Sequence, residues 1–575
     1  MKKQILLFFA VCMSFTALNA QSTSLTGSGT SIDPYIIGSV DDLKFFRDKI
    51  NETSGNPDTN TANVYDAVGA YFKLTADLDM SAESSAWVSV GNNPNVQNNF
   101  KGHFDGNNKT ISNLTIGTSG TPVYQTPTSG LFGNVSNSAS IKNLTLTNIS
   151  FYLNRTVAGA FMVGGLAGQI MAGVKIENCH VSGVINATNA DNTNAADMEI
   201  GGLVGKIQRG PAVTPDLIQI INSSTNVDII ATSTSTYTTA DKKVYAAGFV
   251  GNMAATGFVN LPVIVNCYCK GDIMGESTVD FATTRSRQAV QVGGIWGNNS
   301  GKIYNSYASG YLKGKTVTAN VNVCGITSFL NTGTLTKCYA VMDSIRLLTS
   351  SGTQVGRRVA NGVGSSQIIS AYSFANTKIN GAVIDPLTNG QYGEQNSNGL
   401  NISTVDFITG LNAYVSANPT SNAVNLKTWA AVTASSNDVA KGTVSGSTTA
   451  FDGQNVTLTA TALSGNHFVR WTEGGNEVVG AGASYTFAAT GTKTLIAEFS
   501  ISTGLENATE NDGIIVDGKV LRFNNAANAQ VYNTLGHLVA NSASPTSSIQ
   551  LSQAGIYIVK IETAQGIKTQ KLIVK

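Results

Sequence analysis

The chain has 575 residues, of which 42% are hydrophobic and only 12% charged, and its formal net charge is +1. The length suggests about three or four domains, unless a repeat array takes up much of it, because solenoids lengthen without enlarging one spherical core. With no long basic run, the chain lacks the electrostatic footprint of a nucleic-acid-binding protein. Ser, Thr, Asn and Gly stand in for the missing charge, a composition common in exported β-proteins.

The N-terminus reads as a secretory signal peptide. Lys2 and Lys3 form its basic start, Ile5 to Phe15 its apolar stretch, and Ala17-Leu18-Asn19-Ala20 leads to a cut before Gln21. Leu18 is larger than the usual residue at its place. Val11, where a small residue is needed, speaks against lipid attachment at Cys12. No later apolar run reaches the roughly 20 residues of a transmembrane span. Residues 21–99 are read as a capping region. Ser39-Val40-Asp41-Asp42 opens a short helix with Leu43, Phe46 and Ile50 on one side. Ser39 with Asp42 resembles a capping box, and the helix is placed as a lid over the first coil, since an open coil end is an unpaired sheet edge.

Residues 100–415 carry two linked repeats. The first is Gly-apolar-X-Gly: Gly130-Leu131-Phe132-Gly133, Gly165-Leu166-Ala167-Gly168, Gly202-Leu203-Val204-Gly205, Gly248-Phe249-Val250-Gly251 and Gly294-Ile295-Trp296-Gly297, with a decayed copy at Gly325-Ile326-Thr327-Ser328. The irregular spacing, within about 20–50 residues, suits solenoid coils with loops of varying length. These glycines are expected at positive φ or where neighbouring backbones approach closely. The second repeat places Asn143, Asn178, Asn222, Asn266 and Asn305 after an apolar-X pair, with an extra copy at Asn113 and Lys337 in the last Asn position.

Parity makes the second repeat diagnostic. In a straight strand Ile176 and Asn178 would share one face, and Cys179 and Val181 the other. Yet Ile176, Cys179 and Val181 all have core character, as do Ile141, Leu144 and Leu146. A bend at the Asn resets which side points inward, and Asn tolerates the backbone angles required. Strand, corner, strand, repeated along an axis, predicts an all-β fold with a parallel β-helix (solenoid); two small β-rich domains are read after it. The glycine element resembles the GLUG motif of bacterial surface proteins, and the lead-in Phe100-Lys101-Gly102-His103-Phe104-Asp105-Gly106-Asn107-Asn108-Lys109-Thr110-Ile111 is similar to one found in that group. The resemblance spans about residues 25–415. It implies a right-handed β-helix, in a group whose members are often adhesin-like or of unknown function.

Residues 430–500 change to short alternating strands, Val456-Thr457-Leu458-Thr459-Ala460 and Thr494-Leu495-Ile496-Ala497-Glu498-Phe499, around His467-Phe468-Val469-Arg470-Trp471. This module resembles the divergent B-repeat of internalin-type proteins. Residues 504–575 end in two alternating strands, from Gly555 and from Gly566, with a turn between them. The segment is similar to the C-terminal sorting domain of the type IX secretion system. That resemblance implies passage across the outer membrane by way of that machinery, then removal of the domain and attachment or release of the remainder; with the signal peptide, it implies export across the inner and outer membranes to the cell surface or beyond.

No catalytic residue, cofactor-binding residue or metal ligand is assigned. Asp77 and Asp79 share a strand face but read as solvated or hydrogen-bonded turn acids. Arg357 and Arg358 read as a solvated surface pair, with carbohydrate or phosphate contact as the alternative. His103, His180, His467 and His537 are scattered, without metal-ligand spacing. Cys179, Cys267, Cys269, Cys324 and Cys338 are odd in number and read as small core residues. Tyr304, Tyr307 and Tyr311 read as strand packing, or as glycan contacts if exposed. The leading expectation is a non-catalytic, adhesin-like surface protein whose β-helix binds a glycan or a host- or neighbour-cell protein. A polysaccharide lyase or hydrolase on the same scaffold, and a structural surface or matrix component, are the alternatives.

Overall fold

The computed structural model describes residues 24–52, 64–84, 86–92, 99–124, 126–171, 173–193, 196–209, 217–237, 243–253, 258–278, 288–361, 367–374, 377–383, 404–501, 514–542, 544–563 and 566–574. The segment 1–20 read as a signal peptide, with Cys12, lies outside them. The chain divides into two units, residues 1–428 and 429–575.

The first unit repeats one path. A turn runs along Met198–Gly201, then Val204–Gln208, then Gln219–Ile221 and Ser224–Ser233, and returns at Val244–Ala247. The returning strand pairs in parallel with the one that began the turn, Met198 opposite Val244. Each stretch therefore joins its own parallel sheet. The first sheet holds the strands with Asn bends. The second runs from Phe132–Val135 to Thr327–Leu330, and the third from Thr128–Ser129 to Gln354–Arg357. Phe72, Phe104, Ile141, Ile176, Ile220, Ile264, Ile303, Leu335 and Ile368 stack rung on rung in the interior, and all are buried.

The rungs begin upstream of residue 100. Tyr35–Ile37 already pairs in parallel with Tyr71–Leu74, within the segment read as a cap. The lid is helix α1, Val40–Asn51. Ser39 Oγ accepts from the Asp42 N–H at 3.1 Å, and Asp42 Oδ2 accepts from the Gly38 N–H at 3.0 Å. Phe46 reaches into the interior, its ring 4.6 Å from Phe72 and 5.8 Å from both Phe100 and Phe104.

The Asn corners are left-handed. Asn113, Asn143, Asn178, Asn222, Asn266 and Asn305 have φ of +61°, +54°, +51°, +51°, +55° and +45°. Their amides join neighbouring rungs: Asn178 Nδ2 donates to Asn143 Oδ1 (3.0 Å), Asn266 to Asn222 (2.8 Å) and Asn305 to Asn266 (2.7 Å). Lys337 takes the same bend at φ +53° without an amide to extend the ladder. Left-handed backbone costs an ordinary L-residue roughly 1–2 kcal/mol. Lys337→Asn is therefore expected to stabilise the first unit by about 1 kcal/mol, seen as a higher thermal midpoint. An unchanged or lower midpoint would count against this account of the corner.

The motif glycines serve close approach. A Cβ on Gly202 would lie 2.1 Å from the Gly248 carbonyl oxygen, and one on Gly205 would lie 2.6 Å from both Gly168 O and Val163 N. The positive φ also expected at such glycines is not found at them. The apolar residues between them, Leu166, Leu203, Phe249 and Ile295, are buried. Backbone bonds link them: Leu203 N–H donates to Phe249 O and Phe249 N–H to Ile295 O, both at 3.1 Å. The decayed copy at Gly325 still forms a full corner, with Asn320–Cys324 before it and Thr327–Leu330 after it.

In the second unit, residues 429–501 form a five-stranded and a three-stranded sheet around Leu458, Trp471, Leu495 and Phe499. Trp471 Nε1 donates to Gly482 O at 3.0 Å. Residues 514–574 form an antiparallel sheet ending in the hairpin Gly555–Thr563 and Gly566–Val574, with Leu521, Val531 and Val559 in a core of their own.

Candidate functional site

Strand alternation sends every second residue of the first sheet outward. Register then aligns those residues from rung to rung. Tyr71, His103, Ser140 and Lys175 form one row, and Lys73, Asp105, Lys142 and Glu177 the next. With Ser31, Ile32 and Pro34 they line a groove of about 470 Å³. The Tyr71 and His103 rings lie 4.4 Å apart, and His103 Nδ1 is 2.8 Å from Ser140 Oγ. Lys142 pairs with Asp105 at 3.4 Å and Lys175 with Glu177 at 3.3 Å. Burial, with the Lys142 charge adding to it, holds His103 below the usual histidine range, which favours a neutral ring. Ile32 stands 94% exposed at the lip.

The other residues singled out from sequence do not join this groove. Asp77 Oδ1 accepts from the Thr110 N–H at 2.7 Å, and Asp79 Oδ1 from Asn113 Nδ2 at 2.7 Å and from the Ser81 N–H at 2.9 Å. The Asn113 bond leads in holding the Asp79 carboxyl below its usual range. His180 Nδ1 is 2.8 Å from Ser224 Oγ, and burial, with Lys427 nearby, depresses its pKa to about 3. His467 and His537 belong to the second unit. Among the described residues no group of three or more His, Cys, Asp or Glu is placed to hold a metal ion.

All five described cysteines are free and buried. Cys179, Cys267 and Cys338 alternate with serines along the stack: Cys179 N–H donates to Ser223 Oγ at 3.1 Å and Cys267 N–H to Ser306 Oγ at 3.0 Å. Burial pushes Cys179, Cys324 and Cys338 up to about 12 and raises Cys267 and Cys269 as well.

One expectation needs correction. Arg358 is not a solvated surface residue: it is 1% exposed. Gly325 N–H donates to Arg357 O and Ile326 N–H to Val359 O, so Arg358 takes the first-glycine place of a further corner. A side chain fits there because Gln354–Arg357 is the terminal strand of its sheet among the described residues. Tyr307, read as strand packing, is buried at 1% exposure. Its ring stacks on Tyr268 at 5.2 Å and meets Phe407 of helix α2, Thr404–Ala417, at 5.2 Å. Tyr304 and Tyr311 are half-buried.

Sequence reading missed two polar clusters, because Arg155 meets Asp191, and Glu199 meets Asn252, only across rungs. Arg155 Nη2 meets Asp191 Oδ2 at 2.6 Å with both side chains wholly buried. Glu199, itself 3% exposed, takes Lys206 Nζ at 2.9 Å and Asn252 Nδ2 at 2.6 Å. Beside it Asp197 is lifted to about 6, chiefly by burial and with Glu199 adding to it, while the Lys243 N–H and the Lys243 and Lys206 charges oppose the shift. A carboxyl raised in the fold from 3.8 contributes stability that is complete below that pH and is lost as pH rises through about 6. Asp197→Asn should flatten that loss and raise the thermal midpoint at about pH 7.5 by about 2–4 °C. A pH profile identical to that of the parent chain would contradict it.

Comparison with known proteins divides along the chain. Residues 432–503 match the divergent InlB B-repeat domain. Residues 511–575 match the secretion system C-terminal sorting domain. The chain carries a type IX sorting domain. That domain marks the protein for export to the cell surface or the extracellular space and points to the type IX machinery as a partner. Among the described residues no helix is long and apolar enough to cross a membrane. Halomucin of Haloquadratum walsbyi is 33% identical over 198 residues, which is 33% of this chain and 2% of that protein. Two solved structures show partial likeness. One is a Bacteroides ovatus protein to which an immunoglobulin A1 protease activity is ascribed (20% identity, TM-score 0.36, 58% of this chain and 86% of that one). The other is an IgA1 protease (15% identity, TM-score 0.34, 78% and 34%). At such TM-scores the fold rests on the strand pairing alone.

Proposed function

We propose that the protein is a non-catalytic, adhesin-like surface protein that presents a right-handed parallel β-helix of the GLUG type for binding a glycan or a protein. The recurring path through three parallel sheets supports the β-helix, and parallel crossovers are right-handed in about 98% of cases. The observation that carries the function is the joining of a sorting domain to a regular array whose outer face holds a polar and aromatic groove. In that groove the charged groups pair with each other, Lys142 with Asp105 across rungs and Lys175 with Glu177 along one strand, the pattern of a recognition surface more than of an acid–base pair poised on a substrate. The test is a glycan array run beside a polysaccharide-depolymerisation screen on the mature protein. Binding without depolymerisation is the expected result. Depolymerisation abolished by replacing specific acids would replace this reading with that of a carbohydrate-active enzyme.

A further inference from the structure

We infer that the groove on the first sheet is a binding site for a neutral polysaccharide chain, with the Tyr71 and His103 rings as the platform for a sugar face. This rests on the reading of the protein as a binder and names its site and ligand class.

Three observations carry it. The groove holds about 470 Å³, inside the range of roughly 300–1,000 Å³ typical of small-ligand sites. It is open, it spans several rungs, and its residues repeat by register, so it suits an extended polymer better than a compact metabolite. Its chemistry is mixed in a particular way. Two aromatic rings lie 4.4 Å apart at one side, and an aromatic face offers a sugar ring an apolar bed beside polar edges. In the next row stand Lys73, Asp105, Lys142 and Glu177, alternating in sign from rung to rung.

That alternation decides the ligand's charge. Lys142 is matched by Asp105 and Lys175 by Glu177, so a polyanion finds carboxylates wherever it finds ammonium groups. Like charges facing each other across an interface are penalised. A neutral polyol meets no such penalty and can use both the donors of the lysines and the acceptors of the carboxylates. The lip adds Ile32, 94% exposed, and Pro34, apolar groups that a sugar's C–H face can cover.

The experiment uses isothermal titration and ligand-detected NMR on the mature chain. The probes are hexasaccharides of β-1,4-glucan, β-1,3-glucan, β-1,4-mannan and β-1,4-xylan, with a galacturonate hexamer as the charged counterpart. At least one neutral hexamer should bind, and more tightly than the galacturonate hexamer. Tyr71→Ala should weaken that binding about tenfold or more, and Lys142→Ala by a smaller factor, with circular dichroism unchanged. Tyr71→Phe, which keeps the ring, should restore most of the affinity. Preference for galacturonate would overturn the charge argument. Neutral binding indifferent to Tyr71→Ala would overturn the site while leaving the wider binding function standing. No binding by any neutral hexamer, with hits on the glycan array, would overturn the ligand class; no hits on either would overturn glycan recognition altogether.

Discussion

Asp191→Ala is expected to destabilise the first unit by about 3–5 kcal/mol, the cost of breaking a buried ion pair from one side. Arg155 closes the strand Ser140–Arg155, and Asp191 follows the strand Lys175–Asn189 one rung on. Both side chains have no solvent exposure and meet at 2.6 Å. Arg155 Nε also donates to Val157 O at 3.0 Å, and Asp191 Oδ1 accepts from the Thr193 N–H at 2.8 Å. Removing the carboxylate leaves a guanidinium in the interior without its counter-charge. Arg155→Met with Asp191→Leu should cost less than Asp191→Ala alone, because the double change leaves no unpaired charge. Urea titration followed by circular dichroism measures this. Repeat arrays unfold rung by rung when cooperativity fails, so proteolysis near residues 155–193 should be read alongside. A loss below about 1 kcal/mol would place the pair with exposed salt bridges.

Much of the coil was legible because each rung repeats its reasons. The Asn corner announced itself through parity: Ile176, Cys179 and Val181 cannot all face inward unless the chain turns between them, and φ of +51° at Asn178 is that turn. The lid helix was legible from Leu43, Phe46 and Ile50. The first rungs were not, because Tyr35–Ile37 and Tyr71–Leu74 have no glycine element to mark them, only a place in the register. Arg358 misled because a charged residue reads as solvated unless one knows that it stands on a terminal strand. Tyr307 was ambiguous until α2 covered it, and nothing near Tyr307 in sequence foretells Phe407.

The groove was hidden for the same physical reason. Its residues come from successive rungs, and only strand register brings Tyr71 beside His103 and Asp105 beside Lys142. Register also explains the sparse charge of the chain. Equivalent residues on parallel rungs sit about 4.8 Å apart, where like charges repel. Asn, Ser and Thr can stack on themselves and hydrogen-bond. The charges in the groove are tolerated because their signs alternate along the row.

The same closeness sets the second large effect. Gly202→Ala should cost about 3 kcal/mol, at the upper end of overpacking penalties. The added Cβ would lie 2.1 Å from the Gly248 carbonyl oxygen, a backbone atom that cannot rotate away. Neighbouring bonds hold that backbone in place: Gly202 N–H donates to Ala247 O at 3.0 Å and Leu203 N–H to Phe249 O at 3.1 Å. Ala suffers no conformational strain there, since Gly202 is not in the left-handed region, so the whole penalty measures rung-to-rung approach. Gly120→Ala is the control. Its Cβ meets nothing within 4 Å, and its effect should stay within about 0.5 kcal/mol. Arg358 supports the argument from the other end: at the corner where no described strand stacks beyond, a full side chain occupies the first-glycine place. Thermal midpoints of the two variants, with hydrogen exchange at residues 198–208 and 244–253, would show whether the damage is local to the crowded corner. Equal midpoints for Gly202→Ala and Gly120→Ala would mean that the corner yields, and that the glycines do not set the spacing of the coils.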